Sequence, residues 1–147
     1  MAANINAIFP VAPYVAFASL KEVSPCTTRV PTVTAGLAAN NIIALTAAST
    51  NGLRIDKIQV QACSSSLVSP CNTQLVTIWL WDATTAWPID EITVTATTPS
   101  ATSPAFNNYK LYQNLVIPAT NVLYVSNTTQ TNSNTTALCV SAYGGIY

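Results

Sequence analysis

"LRIDKIQVQA", Leu53 to Ala62, decides the fold class. Leu53 and Ile55 alternate with polar neighbours in one phase, and Ile58, Val60 and Ala62 alternate in the other. A period of two is that of a strand with one face in a core. The change of phase at Asp56 and Lys57 predicts a β-bulge, because one extra residue turns every later side chain to the opposite face.

The same period continues outward. "ITVTATT" (Ile92 to Thr98) sets Ile92, Val94 and Ala96 against Thr93, Thr95 and Thr97. "QLVTIWLW" (Gln74 to Trp81) is apolar on both faces, as suits a central strand covered on two sides. "VPTVTA" (Val30 to Ala35), "NIIALTA" (Asn41 to Ala47), "NYKLYQNLVI" (Asn108 to Ile117), "NVLYVSN" (Asn121 to Asn127) and "ALCVSAY" (Ala137 to Tyr143) read as further short strands. Asn51-Gly52 between two apolar runs predicts a hairpin turn, since both residues tolerate positive φ. The alanines of "TAGLAANNIIALTAAST" (Thr34 to Thr50) favour a short helix, but the Asn, Thr and Gly among them favour strand and turn. The pattern is all-β: an antiparallel β-sandwich or jelly roll of about eight strands.

Residues 1–29 differ. Their apolar residues keep no steady period, and Pro10, Pro13 and Pro25 interrupt helix or central strand. The reading is an extended N-terminal arm, with one short strand around Tyr14 to Ala18, ahead of a sandwich domain at 30–147. Phe9, Val11, Tyr14, Val15 and Phe17 make the arm too apolar to stay exposed, so it is expected to lie along this protein or a partner.

Half of the 147 residues are hydrophobic and only 7% are charged, with five basic and five acidic side chains. A soluble domain usually carries about 25% charge. Disordered chains are rich in charge and poor in apolar residues, so disorder does not explain the composition. The apolar runs fall short of the roughly 18 residues a membrane helix needs, so no membrane partner is expected. No basic region precedes the first apolar stretch, which does not read as a signal peptide. What remains is a surface of Thr, Ser and Asn, uncharged enough to be desolvated against neighbours in an assembly.

The chain has no histidine, which removes the commonest general base and metal ligand. Asp90 and Glu91 are adjacent on a strand and face opposite ways, so they do not pair across a substrate. None of Lys21, Lys57 and Lys110 stands in an S-x-x-K spacing. No catalytic residue, no metal and no cofactor is expected, and five scattered basic residues give no nucleic-acid footprint.

Cys63 and Cys71 are spaced too widely for a zinc knuckle. They read either as a disulfide closing a hairpin loop or as reduced, buried side chains. Cys139 is assigned to the core, and Cys26 has no evident partner. Trp79 and Trp81 fall on one face of an all-apolar strand and read as core, whereas Trp87, in the turn "DATTAWPID", reads as an exposed aromatic anchor. The sequons at Asn127 and Asn134 read as parts of an uncharged loop. Candidate partner-binding residues are therefore Phe9, Tyr14, Phe17 and Trp87.

Four segments, "STNGLRIDKIQVQA", "VTIWLWDATTAWPIDEITVTATTPSATSPAF", "NLVIPATNVLYVS" and the ending "AYGGIY", resemble in that order a group of small tailed-bacteriophage structural proteins. The resemblance spans residues 49–147 and rests on strand and turn signatures. "PATN" stands where the group favours a glycine after the proline, the Cys63–Cys71 loop is an insertion, and the arm lies outside the likeness.

The resemblance implies a virion β-sandwich: a capsid cement (decoration) protein on the outer surface of the head, made in the bacterial host cytoplasm. Its implied partners are the major capsid protein, bound across capsomer junctions, and other copies of itself, a trimer at local threefolds ranking ahead of a dimer across twofolds. The alternatives are a neck or tail component and a carbohydrate-binding β-sandwich module, the last of which needs an exposed aromatic row.

Overall fold

The computed structural model describes residues 10–21, 23–33, 41–63, 70–129 and 137–147. Among these residues there are nine strands and no helix. The strands are β1 (Ala12–Ser19), β2 (Thr32–Val33), β3 (Ile43–Ala44), β4 (Leu53–Ala62), β5 (Gln74–Trp81), β6 (Thr85–Val94), β7 (Asn107–Ile117), β8 (Val122–Asn127) and β9 (Leu138–Ile146). They form a β-sandwich of two antiparallel sheets, one in the order β1-β9-β4-β7 and the other in the order β2-β6-β5-β8-β3.

The main core is filled by alternate residues of both sheets, as a sandwich requires. Ile55, Ile58 and Val60 of β4 and Val140 and Ala142 of β9 meet Val76 and Ile78 of β5, Ile92 and Val94 of β6, and Leu123 and Val125 of β8. Fully burying a Val, Leu or Ile side chain is worth about 1.5–3 kcal/mol, so this cluster is the main source of stability. The bulge in β4 makes it possible. Against β9 pairing passes from Ile55–Gly144 to Lys57–Tyr143, leaving Asp56 as the extra residue, while against β7 it passes from Leu115 to Leu111, so the surplus there lies on β7. Leu53 and Ile55 on one side and Ile58 and Val60 on the other are thereby all buried.

β5 is covered on both faces. Val76 and Ile78 enter the main core, while Trp79 joins Cys26, Ile42 and Ala86 in a second cluster. The Trp79 indole N–H donates to Ser126 Oγ at 2.8 Å, which satisfies its one polar atom.

The described part of the arm lies along the protein itself. β1 pairs with β9 over its whole length, Leu20 and Val23 are buried in the main core, and the Cys26 N–H donates to Asn127 O at 2.8 Å. A boundary at residue 29 therefore does not separate two packing units.

Three local expectations are corrected. The Asn51-Gly52 turn closes no hairpin, because β3 pairs with β8 in one sheet whereas β4 lies in the other. The turn carries the chain between sheets, yet it still needs glycine: Gly52 has φ +89°, and a Cβ there would come within 2.9 Å of Ile117 O. The disulfide joins Cys63 to Cys139, with Cα atoms 5.8 Å apart, rather than Cys63 to Cys71. Cys63 stays beside β9, its N–H donating to Ala137 O at 2.9 Å, while Cys71 has crossed to the other sheet and pairs with Thr97. Cys71 is buried and reduced, its Sγ 3.2 Å from Thr95 O. Cys139 is correspondingly not a core residue: Leu138 and Val140 are buried and Cys139 faces outward between them. Residues 34–40, within the segment weighed as helix or strand, lie outside the described residues.

Candidate interaction surface

The register of the four-stranded sheet brings residues from distant parts of the chain into rows on its outer face. Val15, Tyr143, Lys57 and Leu111 are successive partners across the four strands. The next row is Phe17, Ser141, Gln59 and Tyr109. Arg54 and Val116 pair one step beyond the bulge. Of the nine large hydrophobic side chains exposed among the described residues, six belong here: Val11, Val15, Phe17, Tyr109, Leu111 and Val116. Phe17 and Leu111 are each 71% exposed. A cluster of this kind on one face marks an interaction surface, where scattered single residues would not.

The charged groups on this face are engaged within it. Arg54 donates from Nε and a terminal nitrogen to both oxygens of Asp56, at 2.8 and 3.1 Å, and that contact raises the guanidinium pKa. The Lys57 ammonium donates to Gln59 Oε1 at 2.9 Å and stands 4.2 Å from the centre of the Tyr143 ring. Such a cation is already held against a π face, which lowers the cost of covering it.

Several charges elsewhere are also engaged locally. Arg29 Nε lies 2.9 Å from a Glu91 oxygen. Asp90 accepts from Lys110 Nζ and, at 2.7 Å, from the Tyr112 hydroxyl. Burial works against the Asp90 charge, but the hydrogen bonds from Lys110, Tyr112 and the Glu91 N–H outweigh it and hold the carboxyl below its ordinary value. The Tyr112 hydroxyl is driven well above its ordinary range by burial first and then by Asp90. Asp82 accepts from the Thr85 N–H at 2.8 Å, from the Trp87 indole at 2.9 Å, and from the Thr84 hydroxyl and N–H, which keep it far below the usual carboxylate range.

The sequence-derived candidates divide. Phe17 lies on the open face. Tyr14 turns the other way, packs against the main core and accepts from the Ala47 N–H at 3.2 Å. Trp87 is 45% exposed but sits on the other sheet, its indole tied to Asp82. Phe9 lies outside the described residues. Tyr109, Leu111 and Val116 were missed, although their spacing in "NYKLYQNLVI" places apolar residues on two faces of one strand, as Gln74–Trp81 does.

No aromatic row of the kind a sugar platform needs is present at Trp79 and Trp81. Trp79 is completely buried, and Trp81 is half-buried with its ring edge-on to Tyr124 at 6.0 Å. Asn127 is fully buried, its amide donating to Thr129 O, so the first sequon is inaccessible; Asn134 lies outside the described residues. No protein-family model matches the chain, and no curated protein matches it.

Proposed function

We propose that this protein is a structural protein of a tailed-bacteriophage virion, a decoration protein that binds the outer surface of the head across capsomer junctions. The observation that carries the reading is the open face of the four-stranded sheet, with six exposed apolar side chains beside an Arg54–Asp56 pair and a Lys57 held against the Tyr143 ring. Such a face can be desolvated against a protein partner at little electrostatic cost. The resemblance of residues 49–147 to small phage structural proteins supplies the class of assembly, and its Gly-Gly ending coincides with a point of close strand approach.

The action is mechanical, with no reaction and no cofactor. A protein that binds the expanded shell and not its disrupted subunits stabilises the shell by mass action, so many weak contacts add up to resistance to heat and internal pressure. The test is to add the purified chain to expanded capsids of the phage that encodes it, stripped of this protein. Saturable binding in a simple ratio to shell subunits, with DNA released at a higher temperature, is the expected result. No binding to the head sinks the reading, and binding at a single vertex moves the protein to the neck or tail.

A further inference from the structure

We infer that copies of this chain join head to tail through the two edges of the four-stranded sheet that are open among the described residues, β1 of one copy adding to β7 of the next. This names a partner for the surface used in the assembly reading, and it is tested apart from capsid binding.

Topology comes first. β1 is antiparallel to β9, β9 to β4 and β4 to β7, so β1 and β7 run in opposite directions at the two edges. Repeating the sheet in one orientation therefore sets β7 of the next copy antiparallel to β1, and the sheet continues without a break in pattern. Among the described residues the other sheet offers no comparable template, since its edges β2 and β3 are two residues each.

The backbone groups fit. Leu20 N–H donates to Leu138 O, so β1 residues of even number face β9, while Val15, Phe17 and Ser19 turn their N–H and C=O outward. Ala62 N–H donates to Phe106 O, so by the same alternation Tyr109 and Leu111 turn theirs to the open side of β7. The Tyr109 N–H is covered meanwhile by Asn108 Oδ1 at 2.9 Å, a side-chain cap that a partner strand displaces.

The side chains fit in that same register. Setting Val15 opposite Leu111 in an antiparallel pair also sets Phe17 opposite Tyr109, and all four stand on the outer face. Cross-strand pairs of aromatic and aliphatic residues are the ones that stabilise sheets.

Charge and area favour a second copy as the occupant. β1 contains no charged residue, and β7 contains only Lys110, already bound to Asp90, so neither edge carries the free lysine that commonly keeps other strands away. Six side chains that are 48–79% exposed hold on the order of 500 Å² of apolar area, at the top of what a monomer normally shows. One head-to-tail contact draws three of them from each copy, Val11, Val15 and Phe17 from the β1 edge and Tyr109, Leu111 and Val116 along β7, so the whole patch is engaged only when both edges of a copy are joined. Joining like edges would cover one edge and leave the other open; joining head to tail covers both. A heterologous contact of this kind builds rings or filaments larger than a dimer.

The test is the mass of the full-length chain in solution by light scattering, for the wild type, Phe17→Glu and Leu111→Glu. The wild type is expected to exceed a dimer, and each variant alone to be monomeric with an unchanged circular dichroism spectrum. Mixed in equal amounts, the two variants are expected to form a one-to-one dimer, because the β7 edge of the first and the β1 edge of the second are both intact. A variant that associates by itself as the wild type does, a mixture that stays monomeric, or a wild-type monomer or dimer at high concentration overturns the inference. Should a variant fail to fold, amide exchange of the wild type decides: protection of Phe17 and Leu111 that rises with concentration supports the contact, and its absence refutes it. A monomer that still coats capsids overturns this inference alone, and an oligomer that ignores capsids overturns the decoration reading alone.

Discussion

Gly144 in β9 lies directly against the Arg54 carbonyl of β4: a Cβ built on Gly144 would stand 1.7 Å from that oxygen. The crowding comes from the bulge at Asp56, which brings the β4 backbone toward β9 as pairing resumes at Ile55 and Gly144. Gly145 is confined on the other side, where a Cβ would meet Pro10 Cβ at 2.3 Å. Neither contact can be relieved by a flexible side chain, so backbone must move. Gly144→Ala is expected to lower unfolding stability by about 3 kcal/mol, at the upper end for overpacking, as read from denaturant melts. Stability within error of the wild type would contradict the close approach.

The Cys63–Cys139 bridge ties the end of β4 to the start of β9 across 76 residues of sequence. A loop of that size restricts the unfolded chain strongly, and about 2–4 kcal/mol of stability is expected to disappear in Cys139→Ser or under reductant. Peptide mapping without reduction should recover Cys63 joined to Cys139. A Cys63–Cys71 peptide in its place would contradict the strand crossing described above.

Acid should weaken the fold through Asp90 and Asp82. Both carboxyls are held below the ordinary value of 3.8 in the folded protein, so the stability they contribute is fully present above that pH and is lost as pH falls through the depressed values. Tyr112 acts at the other end. Its raised hydroxyl contributes fully below its ordinary value of 10.0 and loses that contribution as pH rises beyond it. Denaturant midpoints measured from pH 6 down to pH 2 should fall more steeply for the wild type than for Asp90→Asn. Equal slopes would show that Asp90 has no folded-state preference for its charge.

Trp79 and Trp87 should respond differently to truncation. Trp79 is fully buried and hydrogen-bonded to Ser126, so Trp79→Ala is expected to cost about 3–5 kcal/mol. Trp87 is nearly half exposed, and its loss removes one hydrogen bond to Asp82, for an expected cost of about 1 kcal/mol. Comparable losses for the two would mean that the second cluster does not pack as described.

Much of this architecture was legible in the sequence because strand patterning is local. The phase change at Asp56 gave the bulge, and the two-sided apolarity of Gln74–Trp81 gave the central strand. Errors arose where sheet membership decides the outcome. A two-residue turn or an eight-residue cysteine spacing reads the same whether the chain doubles back within a sheet or crosses to the other one, and that distinction misplaced both the Asn51-Gly52 hairpin and the disulfide. Tyr14 is a different case: it lies three residues from Phe17 on one strand, so the two necessarily face opposite ways. The open face itself depends on β1 and β7 being the edges of a single sheet, a relation between residues about ninety positions apart that local periodicity does not encode.

The most direct test of the central claim is to count this protein against the major capsid protein in purified virions by quantitative mass spectrometry. The decoration reading predicts a ratio near one, or a simple fraction of it set by the symmetry of the binding positions. A few copies per particle would place the protein in the neck or tail, and its absence from the particle would contradict the account.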